Sequence, residues 1–179
     1  MKTQILEGRS VKLVPLAVSD RQTMPGNQVQ MKAAGWRKGM HAALRSSRKP
    51  QEPSEACFSM CTTDDNMVIG TITLNGLDWS ARSGWLGIGR GDAISMGKTC
   101  RTEATQLMLH YAFKRLGLNR VNLNLVSCDE REIHSFEEMG FKYEGTQREV
   151  LMREDEHLDI IDLGILRSDW ELLNRFPME

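Results

Sequence analysis

The stretch SMGKTCRTEATQLMLHYAFKRLGLNR, residues 95–120, decides the fold of this chain. One apolar stripe runs along it, because small or hydrophobic residues recur at i, i+3, i+4, i+7 and i+8: Ala104, Leu107, Met108, Tyr111 and Ala112. This spacing predicts an amphipathic helix that buries one face, and Gly117 is expected to end it. The residues just before the helix, Gly97, Lys98 and Thr99, form a candidate phosphate-binding loop.

Strands are predicted on both sides of this helix, wherever short apolar runs alternate with polar residues. They are Arg9–Leu16, Ala56–Cys61, Met67–Leu74 with its end at Asn75 and Gly76, Ser83–Gly91, a strand through Val121, Leu123 and Leu125, Phe141–Met152 and Leu158–Arg167. Two further helices are predicted within 19–49, and a short one carries Ile133, Phe136 and Met139 and closes at Gly140. This order predicts an α+β or mixed α/β fold in one domain, 1–179.

The charge balance excludes two classes of partner. Twenty-three Lys and Arg oppose 24 Asp and Glu, so neither a nucleic acid nor a membrane partner is expected. The four cysteines include no C-x-x-C pair and have no histidines near them in sequence, so no metal site is expected. We interpret the cysteines as reduced thiols. The polar start MKTQILEGRS is unlike a signal peptide, and a cytoplasmic location is expected.

The segment Gly97, Lys98, Thr99 is partly similar to a nucleotide-binding loop of the form G-x-x-x-x-G-K-[ST]. That pattern requires glycine at position 92, where this chain has Asp92, and Gly91 lies one residue too early. A carboxylate at this position would also repel a triphosphate. The sequence therefore disfavours a nucleotide hydrolase.

A second interpretation of the loop covers nearly the whole chain. The motif TEA at 102–104, then YAF-x-x-LGL-NR from Tyr111, then E-x-MGF-x-x-EG from Glu137 keep their spacing over more than 40 residues. With this pattern the sequence resembles the GCN5-related N-acetyltransferases, in the branch that acetylates ribosomal-protein N-termini and similar amines. The resemblance implies a mostly antiparallel sheet of six to seven strands, flanked by about four helices.

The resemblance also implies an activity and its site. The activity is direct transfer of an acetyl group from acetyl-coenzyme A to a primary amine, on a protein N-terminus or a small molecule, and the chain could form a homodimer. Backbone amides at the start of the long helix would bind the cofactor pyrophosphate, and a strand amide would polarise the thioester. The implied cofactor-binding residues are Leu86, Gly87, Ile88, Gly89, Gly97, Lys98, Thr99, Cys100, Arg101, Thr102, Asp129 and Phe136.

Several family landmarks are replaced in this chain. Thr99 and Arg101 stand where relatives have glycines, which would cost about 1 kcal/mol each if the backbone needed a positive φ there. Phe136 replaces a tyrosine that would protonate the departing thiolate, and Phe cannot act as an acid. Asp129 replaces an asparagine, with a helix cap as its simplest role, and Trp85 replaces a glutamate base.

No catalytic residue follows from these replacements. The candidates are Asp129, Ser135 and His134, although Ser135 is also expected to be a packing residue and His134 to face solvent. Two functions stay open: an active acetyltransferase, or a degenerate relative that binds a ligand or partner. The basic composition of residues 19–55 hints at an acidic substrate or partner.

Overall fold

A computed structural model describes residues 5–16, 53–90, 97–127 and 130–175. Its strands are β1 (Leu6–Glu7), β2 (Val11–Pro15), β3 (Ala56–Thr62), β4 (Val68–Asp78), β5 (Ser83–Arg90), β6 (Arg120–Val126), β7 (Lys142–Arg153) and β8 (Glu156–Leu166). Its helices are α1 (Lys98–His110), which continues as a π-helical turn (Tyr111–Arg115), α2 (Glu130–Glu138) and α3 (Arg167–Arg175). The two helices predicted within 19–49 lie outside the described residues.

The described strands form one mixed sheet of eight strands in the order β1-β2-β3-β4-β5-β6-β8-β7. The pair β5–β6 is parallel, whereas β1–β2, β2–β3, β3–β4, β6–β8 and β7–β8 are antiparallel. The predicted mixed α/β class with a mostly antiparallel sheet is confirmed. The sheet exceeds the six to seven strands expected because the two-residue strand β1 is present.

Two predicted boundaries are wrong. β4 does not end at Asn75 and Gly76 but runs on to Asp78, with Gly76 held inside the strand at a φ of 56°. A glycine tolerates this left-handed conformation, so the strand continues through it. The last strand stops at Leu166, and the chain then forms α3, which the strand pattern did not predict.

The chain divides into two compact units, and Met1–Leu77 with Gly87–Leu107 make up the first. Its strands are joined by antiparallel ladders that place Leu13 opposite Met60 and Phe58 opposite Ile72. All four of these side chains are fully buried, so they form the centre of this unit's core.

The second unit consists of Asp78–Leu86 and Met108–Glu179. Here the apolar residues of β6 alternate with polar ones, and Val121, Leu123 and Leu125 are buried on one face. Helix α3 is anchored by Trp170, which packs its ring against Phe113 at 5.4 Å between centroids. The proposal that residues 1–179 form one domain stays a prediction. None of the described helices is long and apolar enough to cross a membrane.

Candidate active site

The candidate phosphate loop lies at the start of α1. Gly97, Lys98 and Thr99 are exposed there, while Cys100, Arg101 and Thr102 are half-buried. The amide of Arg101 donates to the carbonyl oxygen of Gly97 at 3.3 Å, which closes the first helical turn. The preceding helix amides have no acceptor within the helix and carry the positive end of its dipole. This segment therefore presents exposed backbone donors that suit an anionic group.

The two residues that replace glycines in this loop, Thr99 and Arg101, cause no backbone strain. Thr99 and Arg101 both lie inside α1, and neither is among the described residues with a positive φ. Threonine and arginine favour a helix over glycine by up to about 1 kcal/mol. The energetic cost of placing Thr99 and Arg101 at a positive φ therefore does not arise.

Glu103 fixes the start of α1 to the turn between β1 and β2. Its carboxylate accepts hydrogen bonds from the amides of Arg9 and Ser10, the second at 2.9 Å. A Cβ atom on Gly8 would overlap with this carboxylate and would lie 2.9 Å from the backbone carbonyl oxygen of Val11, so the close approach favours glycine. In the sequence, Glu103 stands out only as part of the TEA motif. Arg9 and Ser10 precede Glu103 in the sequence by 94 and 93 positions, so local sequence patterns do not reveal these contacts.

The strand residues expected to contact the thioester lie on β5. Its parallel ladder with β6 joins Ser83–Leu86 to Arg120–Leu123, and β5 itself runs on to Arg90. Leu86 and Ile88 are buried. A Cβ atom on Gly87 would come within 2.7 Å of Thr73 Oγ1, so this position also requires glycine.

The candidates on α2 separate into core and solvent positions. Phe136 is 1% exposed and packs edge to face on Phe141, with 5.5 Å between ring centroids. Ser135 is buried as well, whereas the side chain of His134 is 71% exposed, beside Glu137 and Glu138. The expected packing role of Ser135 and the solvent position of His134 are confirmed. The site roles of all three stay predictions, and Asp129 lies outside the described residues.

The chain has two tyrosines, and neither lies on α2, where the family resemblance places the acid. Tyr111 is buried in the π-helical turn, and burial raises the pKa of its phenol. Tyr143 is exposed on β7, where its hydroxyl lies 2.9 Å from that of Thr146.

Polar side chains line the face of β6 opposite its buried leucines. Asn122 pairs in register with Trp85 of β5. The side-chain Nδ2 of Asn122 donates to the backbone carbonyl oxygen of Gly84 at 3.2 Å. Arg120 Nε donates to Asn122 Oδ1 at 2.6 Å and also pairs with Glu144. Trp85 is therefore part of a polar sheet face rather than of the apolar core.

Comparison with known proteins settles the family. Residues 12–142 match the family model described as an acetyltransferase (GNAT) domain. The chain belongs to this family. The acetyltransferase predicted from the sequence is confirmed at that level, and so is the GNAT fold.

Individual GNAT relatives differ in how much of the chain they match. The chain is 31% identical over 107 residues to "Putative ribosomal N-acetyltransferase YdaF" of Bacillus subtilis (strain 168), covering 60% of this chain and 58% of that protein. It is 26% identical to "Probable N-acetyltransferase YjcK" of the same organism, covering 93% of this chain and 99% of that one. A solved structure of a mutant of the spermidine N-acetyltransferase SpeG from Vibrio cholerae superposes with a TM-score of 0.71 at 20% identity, covering 94% of this chain and 99% of that one.

Proposed function

We propose that this protein transfers an acetyl group from acetyl-coenzyme A directly to a primary amine. The start of α1 carries the proposal, because its helical backbone is regular through Thr99 and Arg101 and its first residues are exposed. Amides at a helix start bind phosphate groups and gain from the helix dipole. Residues 97–102 would hold the pyrophosphate in this way.

The acetyl group would lie along β5. Its backbone at Leu86 to Gly89 would bind the pantetheine arm, and one amide there would polarise the thioester carbonyl. The ladder to β6 ends at Leu86 and Leu123, which supports this location because β5 continues beyond it. When bound, acetyl-coenzyme A supplies the activated acetyl group, and the chain holds and orients it.

An acid on α2 is not needed for this reaction. Phe136 cannot donate a proton, and its ring lies in the core. A coenzyme A thiolate is a good leaving group that water can protonate. Positioning of the amine and polarisation of the carbonyl would therefore account for most of the rate.

Binding of the cofactor is tested by thermal unfolding. Acetyl-coenzyme A at 100 times its dissociation constant should stabilise the protein by about 2.7 kcal/mol, which raises the Tm by roughly 5–11 °C. Acetyl-pantetheine at the same concentration lacks the phosphates and should give a much smaller shift. A flat response to acetyl-coenzyme A would favour the alternative, a degenerate relative that binds another ligand or a partner.

The acceptor is proposed to be the amine of a negatively charged molecule, such as the N-terminus of an acidic peptide. Between residues 21 and 51 the sequence has no Asp or Glu, while its cations are Arg21, Lys32, Arg37, Lys38, Arg45, Arg48 and Lys49. Acceptor specificity in this fold comes from variable segments, here residues 19–55, which include these cations, and the turn at 153–157. A homodimer and a cytoplasmic location also stay predictions.

The charge of the acceptor is tested by competition between two amines. A peptide that begins Ser-Asp-Glu should be acetylated with a kcat/KM at least about 10-fold higher than spermidine, because the basic segment repels a polycation. The ratio should fall between about 50 mM and about 500 mM salt as screening increases. A preference for spermidine that survives high salt would contradict the acidic acceptor.

A further inference from the structure

One face of the β6–β8 sheet carries polar side chains that are not among the proposed cofactor-binding residues. Asn124 lies directly opposite Asp162 in the antiparallel ladder, so both side chains point to the same side. Asn122 lies two residues earlier on that side and pairs with Trp85. Trp85 is the position at which the family resemblance places a glutamate base.

Asn124 contributes an unusual group to this face. Its Oδ1 atom is buried, and no hydrogen-bond donor from the described part of the chain reaches it. Buried polar atoms nearly always have a partner, so an acceptor in this state indicates a donor from outside the described residues. Asn124 also directly follows Leu123, the last β6 residue in the ladder with β5.

Asp162 supplies the charge on the same face. Gln147 Nε2 donates to Asp162 Oδ2 at 2.6 Å, which orients the carboxylate from the neighbouring strand β7. Both side chains are half-buried and so remain in reach of solvent. Arg120 and Glu144 on this side form an ion pair with each other.

We propose that Asn124 and Asp162 form the binding site for the acceptor amine. An amine or ammonium group carries only N–H donors, and these two residues offer an amide oxygen and a carboxylate as acceptors. Asp162 acts as the base that replaces the missing glutamate, and Gln147 is a positioning residue. This inference rests on the proposed function and names the acceptor site within it.

The proton balance of the transfer is simple. The ammonium group gives one proton to the Asp162 carboxylate, which passes it to water. The lone pair of the neutral amine attacks the thioester carbonyl carbon, the C–N bond forms, and the C–S bond breaks. The thiolate leaves with the bonding electrons and takes up the second proton lost by nitrogen. The products are the N-acetylated amine, coenzyme A and one proton.

Two variants test this site, with the released thiol measured for the Ser-Asp-Glu peptide and for spermidine. Asp162→Asn should lower kcat about 100-fold, because it removes the base. Asn124→Leu should raise KM for the amine about 10-fold or more with a smaller change in kcat, because one acceptor of the N–H groups is lost. The matched control is Glu156→Gln, an exposed carboxylate on the same strand as Asp162, which should leave kcat and KM unchanged.

The melting temperature of Asn124→Leu, compared with its KM, distinguishes a role of Asn124 in amine binding from a purely structural role. Removing an unsatisfied buried oxygen should make Asn124→Leu melt about 2–4 °C higher than the wild type, even as amine binding weakens. A higher Tm with unchanged KM would mean that Asn124 Oδ1 only faces an ordered water, and would overturn the proposal. Unchanged kcat in Asp162→Asn would overturn the role of Asp162.

The cofactor is measured separately in each variant. Acetyl-coenzyme A should raise the Tm of the wild type, Asp162→Asn and Asn124→Leu by the same amount. A protein that shows this shift but acetylates neither amine would overturn the acceptor site and leave cofactor binding intact. A wild type without the shift would overturn the proposed function itself.

Discussion

Trp170→Ala is expected to cause the largest loss of stability, about 3–5 kcal/mol in the free energy of unfolding. The Trp170 ring is 7% exposed and anchors α3 by contacts with Phe113 at 5.4 Å and His110 at 5.9 Å between ring centroids. Lys114 Nζ also lies 5.5 Å from the ring centroid, a cation–π contact. Truncation to alanine would remove these contacts and leave a cavity that the helix cannot fill by itself.

Urea unfolding and thermal melting measure this loss. The Tm should fall by roughly 6–20 °C. Leu172→Ala on the same helix is the matched control, because this leucine is 57% exposed and its removal should change stability by less than about 0.5 kcal/mol. Equal effects of the two substitutions would show that α3 is not held by Trp170.

Arg101→Glu is expected to cause the largest loss of cofactor affinity, about 100-fold in the Kd of acetyl-coenzyme A. Arg101 lies in the first turn of α1, at the proposed phosphate site. A charged hydrogen bond is worth about 1.5–3 kcal/mol, and glutamate would add repulsion. Calorimetric titration gives the Kd directly, and the exposed Arg115→Glu, at the other end of the helical segment, should leave it unchanged.

Arg101→Gly distinguishes two hypotheses. In one, Arg101 contacts a phosphate of the cofactor; in the other, the replacement of glycine by arginine has weakened cofactor binding. If Arg101 contacts phosphate, glycine should weaken binding and also cost about 0.5–1 kcal/mol of helix stability. A decayed loop would instead bind more tightly once glycine is restored. Affinity that stays the same in both Arg101→Gly and Arg101→Glu would exclude any role of this side chain in holding the cofactor.

Local patterns were sufficient for most elements. The apolar stripe was predicted from spacing, and its members Ala104 and Met108 in α1 and Ala112 in the π-helical turn are fully buried. The strand through β6 followed from the alternation of valine and leucine with asparagine, because a half-buried strand repeats every two residues. The pattern failed for α3, whose short sequence carries one buried anchor, Trp170, and for β1, which is too short to show any period.

The candidate site was predicted less completely. The loop at 97–102 was found because its residues are adjacent in sequence. The sequence did not indicate Asn124 and Asp162, the residues proposed to bind the amine. They are far apart along the chain, and only the antiparallel ladder places them opposite each other. The signal available in the sequence was weak: asparagines at the polar positions of β6, and an aspartate within the apolar run of β8.

The sequence alone determined the family, the order of the main elements and the position of the candidate phosphate loop, because each depends on spacing along the chain. Tertiary structure decided the backbone conformation and the contacts of individual residues. It shows that Thr99 and Arg101 lie in unstrained helix, that Glu103 holds the turn around Gly8, and that Asn124 keeps a buried acceptor without a donor from the described residues. These properties depend on backbone angles and on contacts between distant segments, which no local pattern encodes.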